Sequence, residues 1–174
     1  ANELFISWYS DETAYERVKA RRKEIMNKKI GQEPLQGKPG ARSLILELEK
    51  RGIKAVVVTA SPQNRARMHL GSVGLDGLFE TIITTEAVKK GKPFPDVYLH
   101  AAGKMGVMPK ECLAFEDSPN GVKSAHKAGC RTVMIPDLTP VTEELMPYVD
   151  YVYDSLADLA LELQQYLPER KITD

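Results

Sequence analysis

IKAVVVTASPQNRARMHLGSVG (residues 53–74) sets the pattern of the fold. Its first seven residues form a continuous, largely β-branched run, the right length for a strand covered on both faces. Ser61 and Pro62 then open a helix, the serine as N-cap and the proline at the first helical position. The same order recurs downstream. FETIIT (79–84) reads as a second strand and PDVYLHAAGKMG (95–106) as a second helix. ECLAFE (111–116) is a third strand, and SPNGVKSAHKAG (118–129) repeats the Ser-Pro opening and the Gly ending. RTVMIP (131–136) is a fourth strand, and a short helix is expected after Thr139-Pro140. YVDYVYD (148–154) is a short last strand, after which Ser155 caps a closing helix, LADLALELQQYL. Strands alternating with helices predict an α/β fold, a parallel sheet with helices on both faces.

Upstream, ARSLILELEKR (41–51) is a helix stopped by Gly52. Before it, GQEPLQGKPG (31–40) is dense in Gly and Pro and reads as a linker, the clearest boundary in the chain. From Ser10 to about Ile30 the sequence is strongly charged, with apolar residues at helical spacing, and predicts a surface helix. The expected organisation is therefore a helical segment, 1–33, followed by an α/β domain, 34–174.

Composition narrows the function. The chain has 174 residues, 43% apolar and 28% charged, with 24 basic and 24 acidic side chains. That is enough for one domain with a real core. A neutral balance gives no reason to expect a nucleic-acid or anionic-membrane partner. No apolar run approaches the ~20 residues of a membrane span. The opening ANELFISWYSDET does not read as a secretory signal, and it lacks an initiator methionine, which hints at processing or truncation. Cys112 and Cys130 lack metal-ligand spacing and are expected to be buried free thiols of a cytoplasmic protein.

In an open parallel sheet, ligands collect beyond the carboxyl ends of the strands. At those ends the sequence places Thr59 and Ser61, then Lys89, Lys90 and Lys92, then Glu116, Asp117 and Ser118, and last Asp137. A hydroxyl, a lysine and an acidic pair are the makings of a metal-assisted phosphate site. Each has a plainer explanation alone. Thr59 and Ser61 could be a strand end and a cap, Lys92 a solvated charge, and Glu116-Asp117 partners for a helix dipole. Asp137 reads as a turn residue, and His69, His100 and His126 as surface histidines.

Three segments then carry a resemblance: VVVTAS (56–61), GKPFPD (91–96) and FEDSPNGVKSAHKAG (115–129). In this order they resemble the second, third and fourth motifs of the haloacid dehalogenase superfamily, in its β-phosphoglucomutase-like group. The likeness runs from about Pro34 to Leu167. It implies a three-layer, Rossmann-like core and magnesium-dependent phosphoryl transfer from a small phosphorylated metabolite through an aspartyl-phosphate. By position, Thr59 would hold a phosphoryl oxygen, and Ser61 and Asn64 would face the substrate or its phosphate. Lys92 would steady the shared charge, and Glu116 and Asp117 would bind Mg2+. Residues 1–33 resemble the latter part of the family's α-helical cap.

The first motif of that family, an apolar strand ending in Asp-x-Asp, has no counterpart here. Asp11 begins a helix, and Asp76-Gly77 has no aspartate two residues earlier. These residues are therefore expected to be the C-terminal portion of a longer phosphohydrolase-like chain, inactive alone and short of one strand, which the N-terminal segment of the same protein would supply. The place where the group's sugar-phosphate mutases commonly carry a lysine is Pro62, which favours a phosphatase over a phosphomutase. A non-catalytic binding or regulatory remnant of the fold is the reading from another class. A phospho-acceptor receiver domain is excluded, because Thr59 and Lys92 precede the acidic pair.

Overall fold

The computed structural model describes residues 2–166 apart from 10, 12, 34 and 80. It divides into two compact units, Ala1–Gln36 and Gly37–Asp174. In the first, α1 (Asn2–Tyr9) packs against α2 (Ala14–Gln32). The sequence reading gave no helix before Ser10, which itself lies outside the described residues. Asp11 explains where α2 starts: its carboxylate accepts the backbone N–H groups of Thr13 at 2.8 Å and Ala14 at 3.0 Å. Orphan donors at a helix start are satisfied in this way. α2 buries none of its residues and runs two positions into the expected linker.

The second unit follows the predicted order: α3 (Ala41–Lys50), β1 (Val57–Thr59), α4 (Gln63–Ser72), β2 (Ile82–Thr84), α5 (Asp96–Met105), β3 (Leu113–Glu116), α6 (Pro119–Ala128), β4 (Arg131–Met134), β5 (Tyr151–Val152) and α7 (Leu156–Tyr166). Every strand pairing is parallel. Successive strand residues point to opposite faces, and β3 shows both. Ala114 joins a core with Ile83, Val97, Ala101 and Ala125, so α5 and α6 cover one face. Phe115 packs with Leu44, Leu159 and Ala160, so α3 and α7 cover the other. The result is three layers, helix on sheet on helix.

The sheet layer is divided. β1 pairs with β2, β3 pairs with β4 and β4 with β5, and no ladder joins β1 to β3 among the described residues. All the strands are shorter than their apolar runs. β1 forms only where β2 runs beside it, although the run begins at Ile53. Glu111 falls in a 3-10 turn, Pro109–Glu111, rather than in β3. The last run keeps only Tyr151–Val152, because Tyr148 ends a 3-10 turn and the Asp150 side chain takes the Thr132 N–H at 2.8 Å.

The helix ends divide between expectation and correction. Ser118 caps α6 through the Gly121 N–H at 3.2 Å, and Gly106 and Gly129 end α5 and α6 in the left-handed conformation. Ser61 does not cap α4. The helix starts later, at Gln63 with Pro62 as its cap residue, because the Ser61 N–H is drawn back to the Thr59 hydroxyl at 3.0 Å. The helix expected after Thr139-Pro140 is a turn followed by the 3-10 segment Met146–Tyr148. Of the three histidines only His126 is exposed. His100 is half-buried, and His69 is half-buried with its Nε2 shut off from water and without a hydrogen-bond partner. No helix among the described residues is long and apolar enough to cross a membrane.

Candidate active site

The loop after β2 carries Lys92 back across the carboxyl end of β1. Its ammonium donates to the Val58 carbonyl at 3.2 Å and pairs with the Glu116 carboxylate at the end of β3. It also lies 5.1 Å from the centre of the Tyr98 ring. One lysine thus links strand ends that belong to separate sheets.

Glu116 sits in a socket. Its Oε1 accepts from Lys92 Nζ and from the Tyr98 hydroxyl, which rises from α5. Its Oε2 accepts from the Ser118 hydroxyl at 3.4 Å. The fourth wall is the backbone of Gly121, where a Cβ would stand 1.8 Å from Oε2. A side chain there cannot coexist with the carboxylate, so the glycine is set by close approach. The side chains of Lys92 and Glu116 are 12% and 6% exposed, and such a pair is tolerable because its remaining donors and acceptors are met. Burial first, and the negative charge of Glu116 second, push the Tyr98 phenol far above its ordinary range. It stays protonated and donates.

The other half of the edge belongs to β1 and α4. Thr59 is half-buried, and its Oγ1 accepts the Ser61 N–H, leaving its own proton to donate. Ser61 is half-buried. Asn64 lies exposed in the first turn of α4, its Oδ1 accepting the Arg65 N–H at 2.7 Å. Lys89 and Lys90 are exposed, with the Lys90 ammonium 4.8 Å from the Phe94 ring centre. Asp137 pairs with Lys38 at 2.5 Å. The structure therefore brings Lys92 to Glu116 and to the end of β1, and Ser61 to Thr59. It shows no hydrogen bond between the Thr59–Asn64 group and Glu116 or Asp117.

The acidic pair divides its work. Adjacent in the chain, Glu116 turns inward to three partners, while Asp117 is exposed and makes no hydrogen bond or ion pair among the described residues. No group of three or more His, Cys, Asp or Glu side chains among the described residues could hold a metal ion. Magnesium needs fewer, since it takes one or two carboxylates and fills its octahedron with water and phosphate oxygens. Asp117 fits that need as it stands, and Glu116 does not while Lys92 holds it.

Sequence reasoning missed Tyr98, Ser118 as a partner of Glu116, and Gly121. Ser118 and Gly121 lie in a segment that reads as an ordinary helix start, and Tyr98 reads as an apolar position of α5. Only the close approach of the three to Glu116 reveals them.

A three-layer parallel α/β unit with hydroxyl, lysine and carboxylates at its strands' carboxyl ends is an open-sheet α/β domain with its polar groups where such sheets bind ligands. The family model of haloacid dehalogenase-like hydrolases matches residues 2–135, and the chain belongs to that family. It is 38% identical over 134 residues to hexitol phosphatase A of Escherichia coli (strain K12), covering 76% of this chain and 60% of that protein. The crystal structure of CbbY from Rhodobacter sphaeroides in complex with phosphate superimposes with a TM-score of 0.68 at 28% identity, over 75% of this chain and 59% of that one. β-Phosphoglucomutase from Clostridium difficile gives a TM-score of 0.60 at 26% identity, over 74% and 54%. The chain spans between 49% and 66% of the length of the first curated relatives it matches.

Proposed function

We propose that this chain supplies the phosphate- and metal-handling side of a phosphatase site for a small phosphorylated metabolite such as a sugar phosphate. The observation that carries the reading is Lys92, held half-buried between the ends of β1 and β3, with Thr59 beside one end and Asp117 beyond the other. A fixed ammonium flanked by a donating hydroxyl suits phosphoryl oxygens. Thr59 binds and orients one oxygen, Ser61 and Asn64 face the substrate, and Lys92 holds charge near the transferring group. Asp117 would hold Mg2+, with water and phosphate oxygens completing its shell; when bound, the ion supplies charge neutralisation. On this reading residues 1–33 are the latter part of a helical cap.

On this reading the attacking carboxylate, on which an aspartyl-phosphate would form, comes from polypeptide outside these 174 residues. The chain by itself hydrolyses no phosphate ester. Relatives named as a hexitol phosphatase and a β-phosphoglucomutase support sugar phosphates as the substrate class. Pro62, in the place of the mutases' lysine, supports hydrolysis over phosphoryl migration within a sugar.

Binding and turnover test it separately. Inorganic phosphate with Mg2+ should raise the thermal midpoint of the chain. Asp117→Asn should remove the metal's share of that rise, and Thr59→Val the phosphate's. Indifference to both ions, or hydrolysis of p-nitrophenyl phosphate by residues 1–174 in excess chelator, would overturn the reading.

A further inference from the structure

Tyr98 touches both charged groups at the end of β3 and the end of β1, yet it carries no charge of its own. It lies in the first turn of α5 and is 7% exposed. Its hydroxyl donates to Oε1 of Glu116, the same oxygen that receives Lys92. Its ring lies beside the Lys92 ammonium, 5.1 Å from nitrogen to ring centre, within reach of a cation–π attraction. Burial first, and the Glu116 charge second, keep the phenol protonated, so toward the carboxylate it only donates.

A lysine ammonium has three donors. Those of Lys92 go to the Val58 carbonyl at 3.2 Å and to Glu116 Oε1, and no hydrogen bond among the described residues takes the third. The backbone that carries Lys92 is anchored as well. The Phe94 N–H closes on Gly91 O at 3.0 Å, and the fully buried Ser124 hydroxyl of α6 donates to Phe94 O at 2.6 Å. Backbone anchoring does not direct the end of a long side chain; the Tyr98 ring and the Glu116 carboxylate do. Tyr98 also tempers the ion pair. Two donors share Oε1, so Glu116 neutralises the ammonium less completely than it would with Lys92 alone. The uncancelled charge is available to an anion at the third N–H.

We propose that Tyr98 is a positioning residue for Lys92, an assignment that rests on the phosphate reading of Lys92 given above. Its hydroxyl orients Glu116 and its ring supports the ammonium. Together they keep one N–H of Lys92 for a phosphoryl oxygen. Tyr98 touches no substrate and acts through the lysine alone.

Nitrogen-15 resonances of the lysine side chains in the full 174-residue chain test it. The Lys92 ammonium signal is identified by its loss in Lys92→Arg. Inorganic phosphate, compared with chloride at equal ionic strength, should shift that signal to saturation. Tyr98→Phe keeps the ring and removes only the hydroxyl. It should move the Lys92 signal before any phosphate is added and weaken phosphate binding by about tenfold, the scale of one hydrogen bond to a charged group. Tyr98→Leu, which loses the ring too, should weaken it further. A tyrosine that only fills space would lower the thermal midpoint and leave the phosphate constant unchanged. That result in Tyr98→Phe would overturn the proposal and leave the phosphate reading intact. A Lys92 signal indifferent to phosphate in the unaltered chain would instead sink the phosphate reading, and the proposal with it. One further measurement needs no variant at Tyr98. Phosphate should produce a near-ultraviolet tyrosine difference spectrum in the unaltered chain, saturating with the same constant as the Lys92 signal, and its absence would overturn the proposal.

Discussion

Lys92 and Glu116 form a nearly dry ion pair between segments 24 residues apart, and its cation also caps the free carbonyl of Val58. The pair therefore ties β3 to β1 where no ladder does. Removing one partner of such a pair leaves an uncompensated charge, at a cost of about 3–5 kcal/mol. Lys92→Met should lower unfolding free energy by that order in urea titrations. Glu116→Gln in the Lys92→Met background should recover part of the loss, because the stranded charge is then gone. A double variant as unstable as the sum of the two singles would show that the residues do not act together.

Gly121 offers a sharper steric test. An alanine there would put its Cβ 1.8 Å from Glu116 Oε2, against a carboxylate already fixed by Lys92, Tyr98 and Ser118. Gly121→Ala should cost roughly 1–3 kcal/mol, as overpacking does. Gly103, inside α5, meets nothing within 4 Å, so Gly103→Ala should stabilise by about 0.5–1 kcal/mol. Thermal melts of the two variants should therefore move in opposite directions. Equal shifts would mean that Glu116 is mobile in its socket.

Much of the fold was legible because it rests on local signals. Apolar runs separated by Ser-Pro openings and Gly endings placed the core helices and strands in order. What was not legible depends on distant partners. The strands shrank to Val57–Thr59 and Tyr151–Val152 because length is set by the neighbouring strand, not by the run itself. Ser61 lost its capping role to a contact two residues back, with Thr59. At the site, polar groups at strand ends could be picked out by position. Their division of labour could not, since Glu116 and Asp117 are alike in sequence and differ only in what surrounds them.

The cysteines give a test of the core below the site. Burial pushes the Cys130 thiol, just before β4, up to about 11, and burial also raises Cys112, just before β3, whose carbonyl accepts the Arg131 N–H. The thiolate is the reactive form. In the native chain near neutral pH, an aromatic disulfide reagent should label Cys112 more slowly than a free thiol and leave Cys130 untouched. Both should react at once in denaturant. Rapid labelling of Cys130 without denaturant would mean that β3 and β4 separate readily.

The pH dependence of stability should show one identifiable contribution from Glu47. This buried residue of α3 is held by Lys50 at 2.8 Å and Arg51 at 2.6 Å, and Arg51 continues to the Leu163 carbonyl of α7 at 3.1 Å. Lys50 first and Arg51 second draw its carboxyl down to about 2, well below the ordinary glutamate value. In the unfolded chain it titrates near ~4.3. Between those values the unfolded state binds the extra proton, so acid favours unfolding. The contribution is complete above the unfolded value and is lost as pH falls through the folded one. Glu47→Gln removes it at every pH. Urea midpoints of the two proteins should therefore differ by a constant amount above about pH 5 and converge as pH approaches about 2. Other carboxylates, Asp150 among them, tilt both curves alike and cancel in the difference. A gap that stays constant down to the lowest pH at which both fold would show that Lys50 and Arg51 do not hold the Glu47 proton off, and that the α3–α7 junction is neutral to acid.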